Sequence, residues 1–241
     1  MKNRRESLPR SILFTLFLFG SVPFYGVTAL LMGVVSTRWT YQVAVAWSRA
    51  VLYVLDKLCG LDYSVEGLEH TQRDVCVVLL KHSSAWETIA QLAIFPKQTW
   101  VLKRELLWAP VLGWVLLLMR PIAINRKARR VAVEQVVSLG SRRLDEGCWV
   151  MIFPEGTRVA AGKVGRYGIS GALLAIESGR PVIPVAHNAG AYWPRRGWRK
   201  RPGTIRMKIG APIPSDGRSA RELTDAVKQW IETEVSSMSD V

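Results

Sequence analysis

The pattern of apolar and polar positions divides the chain near residue 60. Before this point lie 25 uncharged residues, Ser11–Val35, and then a mostly apolar segment, Tyr41–Leu58, that is predicted to be a helix. After this point, short runs rich in β-branched residues alternate with segments whose apolar positions recur at helical spacing. The sequence therefore predicts two parts, membrane-associated helices at 1–60 and an α/β domain at 61–241.

The second part contains candidate strands and candidate helices in alternation. The candidate strands are Asp62–Glu66, Val75–Leu80, Thr99–Leu102, Pro121–Asn125, Cys148–Phe153, Pro181–Ala186 and Thr204–Ile209. The candidate helices are Trp86–Ile94, Pro110–Leu118, Lys127–Asp145, Ile169–Glu177 and Ser219–Val235. Because Val75–Leu80 is apolar throughout, both faces of the sheet are expected to be covered. The alternation predicts an α/β fold with a mixed, mostly parallel sheet flanked by helices, and a functional site beyond the carboxyl ends of the strands.

The segment Ser11–Val35 is long enough, as one helix of about 37 Å, to cross a hydrocarbon core of ~30 Å. However, Pro23 follows Gly20 and Ser21 in its middle, and a proline inside a helix removes a hydrogen bond and clashes with the preceding turn. Two arrangements remain open: two short helices that dip into one leaflet, or a single kinked span. The fold prediction includes an apolar, membrane-docking helix pair ahead of the α/β domain.

Basic residues precede this segment, at Lys2, Arg4, Arg5 and Arg10. Under the positive-inside rule, such a flank stays on the cytoplasmic side of a membrane. A cleaved signal peptide is disfavoured, because the apolar stretch exceeds the usual length of about 7–15 residues and no A-x-A cleavage site follows it.

Composition and charge narrow the function classes. Of the 241 residues, 49% are hydrophobic and 22% are charged, which excludes a disordered chain. Lys and Arg total 33 against 19 acidic residues, a net charge of +14, so anionic partners are expected: phospholipid surfaces, nucleic acid or phosphorylated small molecules. The three cysteines, Cys59, Cys76 and Cys148, are far apart and predict neither disulfides nor a zinc site.

Several familiar catalytic motifs do not occur in the sequence. There is no GxSxG nucleophile elbow, and the segment from Gly156 to Val164 lacks the spacing and the Ser or Thr of a phosphate loop. The three histidines, His70, His82 and His187, form no HExxH pair, so no metal centre is expected. His187 follows a buried strand and is interpreted as structural.

The most informative group of residues starts where the strand Val75–Leu80 ends. His82 leaves this strand, and Glu87 follows five residues later at the start of a predicted helix. If His82 lies in the turn before the helix, the Glu87 carboxylate can bind one imidazole nitrogen and make the other a stronger general base. The alternative is a capping box, in which Ser84 and Glu87 satisfy only backbone donors at the helix start.

A second group follows the strand Cys148–Phe153. The turn Pro154–Arg158 presents a carboxylate, a glycine, a hydroxyl and a guanidinium. Arginine binds phosphate oxygens through paired hydrogen bonds, and glycine lets the backbone approach a ligand closely. A solvated surface turn is the alternative interpretation.

Together these groups resemble the glycerolipid acyltransferases. The resemblance rests on His82 and Glu87, then on the block Phe153–Arg158, then on Val182–Val185. It covers most of the second part of the chain, and within the family it is greatest to bacterial enzymes that acylate 1-acyl-sn-glycerol-3-phosphate. The sequence has Glu87 where the family usually has aspartate, and it matches the second family block only loosely at Ile122–Arg126.

The resemblance implies a direct acyl transfer. His82, oriented by Glu87, would take the proton from the sn-2 hydroxyl, and the oxygen would attack the thioester of acyl-CoA or acyl carrier protein to give phosphatidic acid. Arg158 and Lys103 would hold the acceptor phosphate, with Arg126 as a third candidate. The residues implied to shape that pocket are Glu155, Gly156 and Thr157. No cofactor is implied beyond the acyl donor, which is a co-substrate.

The resemblance also implies a location and partners. The expected location is the bacterial inner membrane, with the site on its cytoplasmic face. The expected partners are a phospholipid membrane, lysophosphatidic acid and the acyl donor, but no nucleic acid.

A basic segment, Trp193–Gly203, interleaves tryptophans with arginines and leaves three interpretations open. It would suit lipid headgroups, because tryptophan prefers the membrane interface and basic residues bind anionic lipid. It would equally suit the phosphates of coenzyme A or an acidic carrier protein, or it is a solvated loop. Two rival functions remain: an acyltransferase for another lysolipid, such as a lyso-ornithine lipid, and a non-catalytic basic protein that binds membranes or nucleic acid.

Overall fold

The computed structural model describes residues 6–72 and 74–238. The basic residues Lys2, Arg4 and Arg5 of the predicted cytoplasmic flank lie outside the described residues.

The first two helices form an antiparallel hairpin. Helix α1 (Leu8–Val35) and helix α2 (Thr37–Cys59) are joined at Ser36, whose hydroxyl caps the start of α2. Because α1 continues through Pro23, the alternative of two short helices within 11–35 is wrong. The apolar helix pair consists of α1 and α2 instead.

Contacts with α2 on both sides of Pro23 explain why α1 stays continuous. Before the proline, Trp47 Nε1 donates a hydrogen bond to Ser21 Oγ at 3.0 Å. After it, Thr40 Oγ1 donates to the Ala29 carbonyl at 3.1 Å. This packing outweighs the cost of about 3 kcal/mol that a proline brings to a helix interior.

Helix α1 is long and apolar enough, by length and composition alone, to cross a membrane. Its most apolar window has a mean hydropathy of 1.8, and only 22% of that window is buried. Large apolar side chains are exposed along the helix: Leu8, Ile12, Leu13, Leu16, Phe19, Phe24, Val27, Leu31, Met32, Val34 and Val35. Such a continuous exposed face marks a surface that contacts something apolar.

In the described part of the chain, seven strands form one sheet in the order β1-β7-β6-β2-β5-β3-β4. The strands are β1 (Leu61–Glu66), β2 (Val77–Leu80), β3 (Gln98–Lys103), β4 (Ile122–Ile124), β5 (Trp149–Ile152), β6 (Val182–His187) and β7 (Gly203–Ile209). Only β6 and β7 pair antiparallel. The predicted mixed, mostly parallel sheet is confirmed.

Helices cover both faces of this sheet. They are α3 (Trp86–Ile94), α4 (Leu112–Leu118), α5 (Arg129–Asp145), α6 (Ser170–Ser178), α7 (Ala189–Tyr192) and α8 (Ala220–Ser237). Alternate side chains of β2 enter two different cores: Val78 and Leu80 join residues of α1, α2 and α3, while Val77 and Leu79 join residues of α5, α6 and α8. This double burial explains why β2 is apolar at every position.

A buried lysine joins α1 to the loop that precedes β7. The Lys200 ammonium donates to Thr15 Oγ1 at 2.6 Å and to the Trp198 carbonyl at 3.0 Å. It also lies 5.5 Å from the centre of the Phe14 ring and 5.2 Å from that of Trp193. The hairpin is therefore attached to the α/β domain by polar and cation–π contacts at the amino-terminal end of α1.

We expect Lys200→Ala to detach this end of α1, because it removes both hydrogen bonds of a charged donor and leaves a cavity. The expected loss is about 2–3 kcal/mol of unfolding free energy, measured by denaturant titration in detergent. Lys97→Ala, at an exposed lysine, is the matched control and should leave the midpoint unchanged. Equal midpoints for the two variants would contradict the attachment.

Candidate active site

The carboxyl ends of β2, β3, β4 and β5 open on one edge of the sheet, and a cavity of about 410 Å³ lies there. Each of the four strands contributes to it a residue that lies at the strand end or in the loop that follows: His82, Lys103, Arg126 and Arg158. The structure thus brings together the predicted general base and the three predicted phosphate ligands. This is the edge at which ligands bind in open α/β sheets.

His82 and Glu87 form the pair that the sequence predicted. His82 Nδ1 lies 2.9 Å from Glu87 Oε1, and the imidazole stacks on the Phe153 ring with the ring centres 4.0 Å apart. The same carboxylate oxygen accepts hydrogen bonds from the backbone N–H groups of Ser83 at 2.9 Å and Ser84 at 2.8 Å. Both interpretations of Glu87 therefore apply at once, since it binds the imidazole and also satisfies backbone donors.

The Glu87 side chain is fully buried. Burial by itself raises its pKa, but the nearby His187, the hydrogen bond with His82 and that from the Ser84 N–H outweigh this effect and hold the pKa of Glu87 below its ordinary value. The group is therefore a carboxylate at neutral pH. A carboxylate on Nδ1 fixes the tautomer in which Nε2 is the basic nitrogen of His82.

His187, interpreted from the sequence as structural, is fully buried next to Glu87. Its Nε2 lies 3.7 Å from Glu87 Oε2, an oxygen with no hydrogen-bond partner among the described residues. Nε2 donates to the Lys81 carbonyl at 2.8 Å, and Nδ1 accepts from the Ala189 N–H at 3.2 Å. Burial lowers the pKa of His187 and outweighs the opposing effect of the nearby Glu87 carboxylate.

Three cations line the cavity near His82, and the backbone holds one of them in place. Arg126 Nη1 donates to the carbonyl of Gly156, whose φ of +65° lies in the left-handed region that favours glycine. The Lys103 side chain is about half exposed, with its ammonium 3.6 Å from Glu105 Oε1. Arg158 lies on the loop after β5, and its carbonyl accepts a hydrogen bond from Arg195.

Glu155, Gly156 and Thr157 are not among the residues that line this cavity. Gly156 contacts a lining residue through its carbonyl, which accepts a hydrogen bond from Arg126, and the role of the three residues in shaping the acceptor pocket stays a prediction. The Glu155 side chain has no exposure to solvent. Its Oε1 binds the Lys81 ammonium at 2.8 Å, and its Oε2 accepts the backbone N–H of His82 at 2.8 Å. A carboxylate with both oxygens engaged inside the protein holds the loop in place.

The rest of the cavity is mostly apolar, with Thr88 and Gln91 as polar lining residues, and its walls come from the hairpin as well as from the α/β domain. Small residues on α1, Gly26 and Ala29, allow close approach of the two parts, because a β-carbon at Gly26 would clash with Val111. The other lining residues of the wall are Val22, Tyr25, Ala44, Trp47, Ile89, Leu92, Trp100, Val101, Leu102, Leu106, Leu112, Val115, Leu116, Met119 and Phe153. This wall was not predicted from the sequence, although the small residues Gly26 and Ala29 in an apolar helix were a signal for close packing.

Among residues 6–72 and 74–238, no three His, Cys, Asp or Glu side chains are grouped to hold a metal ion. The three cysteines, Cys59, Cys76 and Cys148, are buried.

Comparisons with known proteins identify the family to which this chain is similar. Residues 62–188, just over half of it, match the family model described as "Acyltransferase". The chain is 38% identical to 1-acyl-sn-glycerol-3-phosphate acyltransferase of Pseudomonas aeruginosa, over 96% of this chain and 92% of that protein. It is 26% identical to the human enzyme 1-acyl-sn-glycerol-3-phosphate acyltransferase beta, over 61% of this chain and 54% of that protein.

A solved structure shares the fold. The crystal structure of the 1-acyl-sn-glycerophosphate (LPA) acyltransferase PlsC from Thermotoga maritima superposes with a TM-score of 0.80, covering 96% of this chain and 97% of that one, at 22% sequence identity. The family model and the Pseudomonas relative together show that the chain belongs to the acyltransferase family, and the protein is an O-acyltransferase.

Proposed function

We propose that this protein transfers an acyl chain from a thioester donor, acyl-CoA or acyl carrier protein, to the sn-2 hydroxyl of 1-acyl-sn-glycerol-3-phosphate, giving phosphatidic acid. The observation that carries the proposal is the His82–Glu87 pair in a mostly apolar cavity that Lys103, Arg126 and Arg158 also line. The acyl chain of a thioester donor matches the apolar lining, and the hydroxyl and phosphate of the acceptor match the imidazole and the cations. The names of the Pseudomonas and human relatives, both 1-acyl-sn-glycerol-3-phosphate acyltransferases, support the same acceptor.

His82 Nε2 would act as the general base. It takes the proton of the acceptor hydroxyl while the oxygen attacks the thioester carbon, so that a C–O bond forms and the C–S bond breaks. The imidazolium then gives the proton to the departing thiolate. Glu87, ionised and hydrogen-bonded to Nδ1, stabilises the imidazolium between these steps. The protein itself is not acylated in any of these reaction steps.

Lys103, Arg126 and Arg158 would bind the acceptor phosphate. Guanidinium groups bind phosphate oxygens in pairs, whereas an ammonium acts as a point charge. Because these three cations and His82 line one cavity, a phosphate held there would keep the glycerol hydroxyl near the imidazole. Such positioning supplies a large part of the rate in reactions between two bound substrates.

The hairpin would bring this cavity to the lipid that supplies its acceptor. The exposed apolar face of α1 suits the acyl region of a membrane, and residues 1–60 would form a membrane-associated unit. The exposed arginines and Trp198 of the basic segment suit anionic headgroups beside it. The basic amino-terminal flank favours the cytoplasmic face of the bacterial inner membrane.

The general base is tested by His82→Ala and Glu87→Gln. We expect acyl transfer to fall by about 10²–10⁴-fold in His82→Ala, the range that general bases supply. Glu87→Gln should lose less, because the amide oxygen can still accept the N–H of Ser83. The measurement is release of free thiol from acyl-CoA or acyl carrier protein in the presence of lysophosphatidic acid. His70→Ala is the control, and retained activity in His82→Ala would contradict the assignment.

The phosphate site is tested by Arg158→Ala with two acceptors. We expect the KM for lysophosphatidic acid to rise about tenfold or more, because a charge-assisted bond is lost, and the KM for a lysolipid without phosphate to change little. Arg142→Ala, at an exposed arginine of α5, should leave both values unchanged. Equal effects of Arg158→Ala on the two acceptors would favour another lysolipid as the substrate.

The apolar wall is tested by Ala29→Leu, which places a larger side chain in the cavity. We expect the preference to move toward shorter acyl donors, since each lost methylene contact is worth about 0.8 kcal/mol. The measurement is a competition between acyl donors of different chain lengths. Ala211→Leu, at an exposed alanine, is the control, and an unchanged chain-length profile in Ala29→Leu would show that the chain binds elsewhere.

A further inference from the structure

A buried lysine, Lys81, directly precedes His82 in the chain. It has no part in the acyl-transfer steps proposed for His82 and Glu87. The Lys81 side chain is 3% exposed, and its ammonium contacts two carboxylates, Glu155 Oε1 at 2.8 Å and Glu232 Oε1 at 2.7 Å. Glu232 lies on α8 and also accepts the hydroxyl of Tyr167 at 2.8 Å. Three ionisable side chains and a phenol thus form one continuous network.

This network ends on the backbone of the general base. Glu155, which binds Lys81 through Oε1, accepts the His82 N–H through Oε2 at 2.8 Å. On the other side of the same residue, the Val159 N–H donates to the His82 carbonyl at 2.8 Å. Any movement of the Glu155 carboxylate therefore moves the backbone that carries the imidazole.

One carboxylate would be enough to neutralise Lys81, so the second needs a different explanation. A buried ammonium with a single partner can follow that partner, whereas an ammonium shared between two elements is fixed in position. Here the two partners lie on the loop after β5 and on α8, and Lys81 itself follows β2. These two ion pairs of Lys81 therefore define the position of the Glu155 carboxylate. A buried ion pair adds little net stability, because desolvation offsets the attraction between its charges.

Tyr167 keeps Glu232 in this arrangement. Burial raises the pKa of the Tyr167 hydroxyl, and the hydrogen bond to Glu232 raises it further, so the phenol stays protonated and remains a donor. Glu232 therefore has one ammonium and one hydroxyl on the same oxygen.

We propose that Glu232 is a positioning residue for His82, acting through Lys81 and Glu155. The inference rests on the proposed role of His82 as the general base. Helix α8 lies outside residues 62–188, which match the family model, so the carboxy-terminal helix would complete a site whose reacting groups lie elsewhere.

The test compares Glu232→Gln with Glu234→Gln. The second variant is a matched control on the same helix, because Glu234 is similarly exposed and pairs with Lys208 at 2.9 Å, outside the network. We expect Glu232→Gln to lower kcat about tenfold through displacement of the base, with the KM for lysophosphatidic acid unchanged. Tyr167→Phe should lower kcat in the same direction by less, and Glu234→Gln should match the wild type.

A second readout does not need turnover. The sequence has three histidines, so protein labelled with carbon-13 at histidine Cε1 gives three signals, and the one lost in His82→Ala belongs to His82. This signal should move in Glu232→Gln and stay in place in Glu234→Gln. The remaining histidine signals show that each variant is folded.

The outcomes separate the two proposals. A fall in kcat together with a moved His82 signal supports the positioning role. An unmoved signal, a change in KM instead of kcat, or the same response in Glu234→Gln overturns it. If the wild type transfers no acyl group, the proposed function fails, while the carbon-13 spectra still decide whether Glu232 is linked to His82.

Discussion

The carboxylate of Glu87 has no contact with solvent, and the surrounding chain must compensate for the cost of burying its charge. The compensation comes from one turn and one neighbouring strand: two backbone N–H groups after β2, the His82 imidazole, and His187 at the end of β6. Because all of these groups must converge on one carboxylate, they define the conformation of the turn. His82, the helix start at α3 and the β2–β6 pairing are therefore parts of one arrangement.

The parallel sheet explains why the remaining groups come together. Lys103, Arg126 and Arg158 are far apart in sequence, but each lies at or just after the carboxyl end of a strand. Since β2, β5, β3 and β4 are adjacent and parallel, their following loops share one edge. The cationic part of the cavity is thus a consequence of topology, and the backbone carbonyl of Gly156 only adjusts the direction of Arg126.

Much of this could be predicted from the sequence, for physical reasons that differ between elements. The predicted strands and helices after residue 60 begin and end within two residues of the observed bounds, because apolar periodicity reports burial directly. The short helix α7 was not predicted. The His82–Glu87 contact followed from a spacing that only a turn before a helix permits. By contrast, Pro23 wrongly suggested a break between two short helices. The contacts with α2 that keep α1 continuous are tertiary and have no signal in the local sequence.

The network of Lys81, Glu155 and Glu232 shows a further limit. Its members are 74 and 151 positions apart along the chain, and neither motif order nor periodicity relates them. The role of Glu155 was inferred from its place in the block Phe153–Arg158, yet its carboxylate points to the interior, where Lys81 offers a charge.

The cavity wall that α1 shares with the α/β domain makes residue 60 a boundary of composition but not of the site. Gly26 and Ala29 face the same space as His82, so the helix that presents an apolar face outward also encloses the reaction space on its inner side. Truncating the hairpin to obtain a more soluble enzyme would open that space to water. Because the exposed apolar face and the cavity wall are two sides of α1, any change that tilts or shifts this helix alters both surfaces at once.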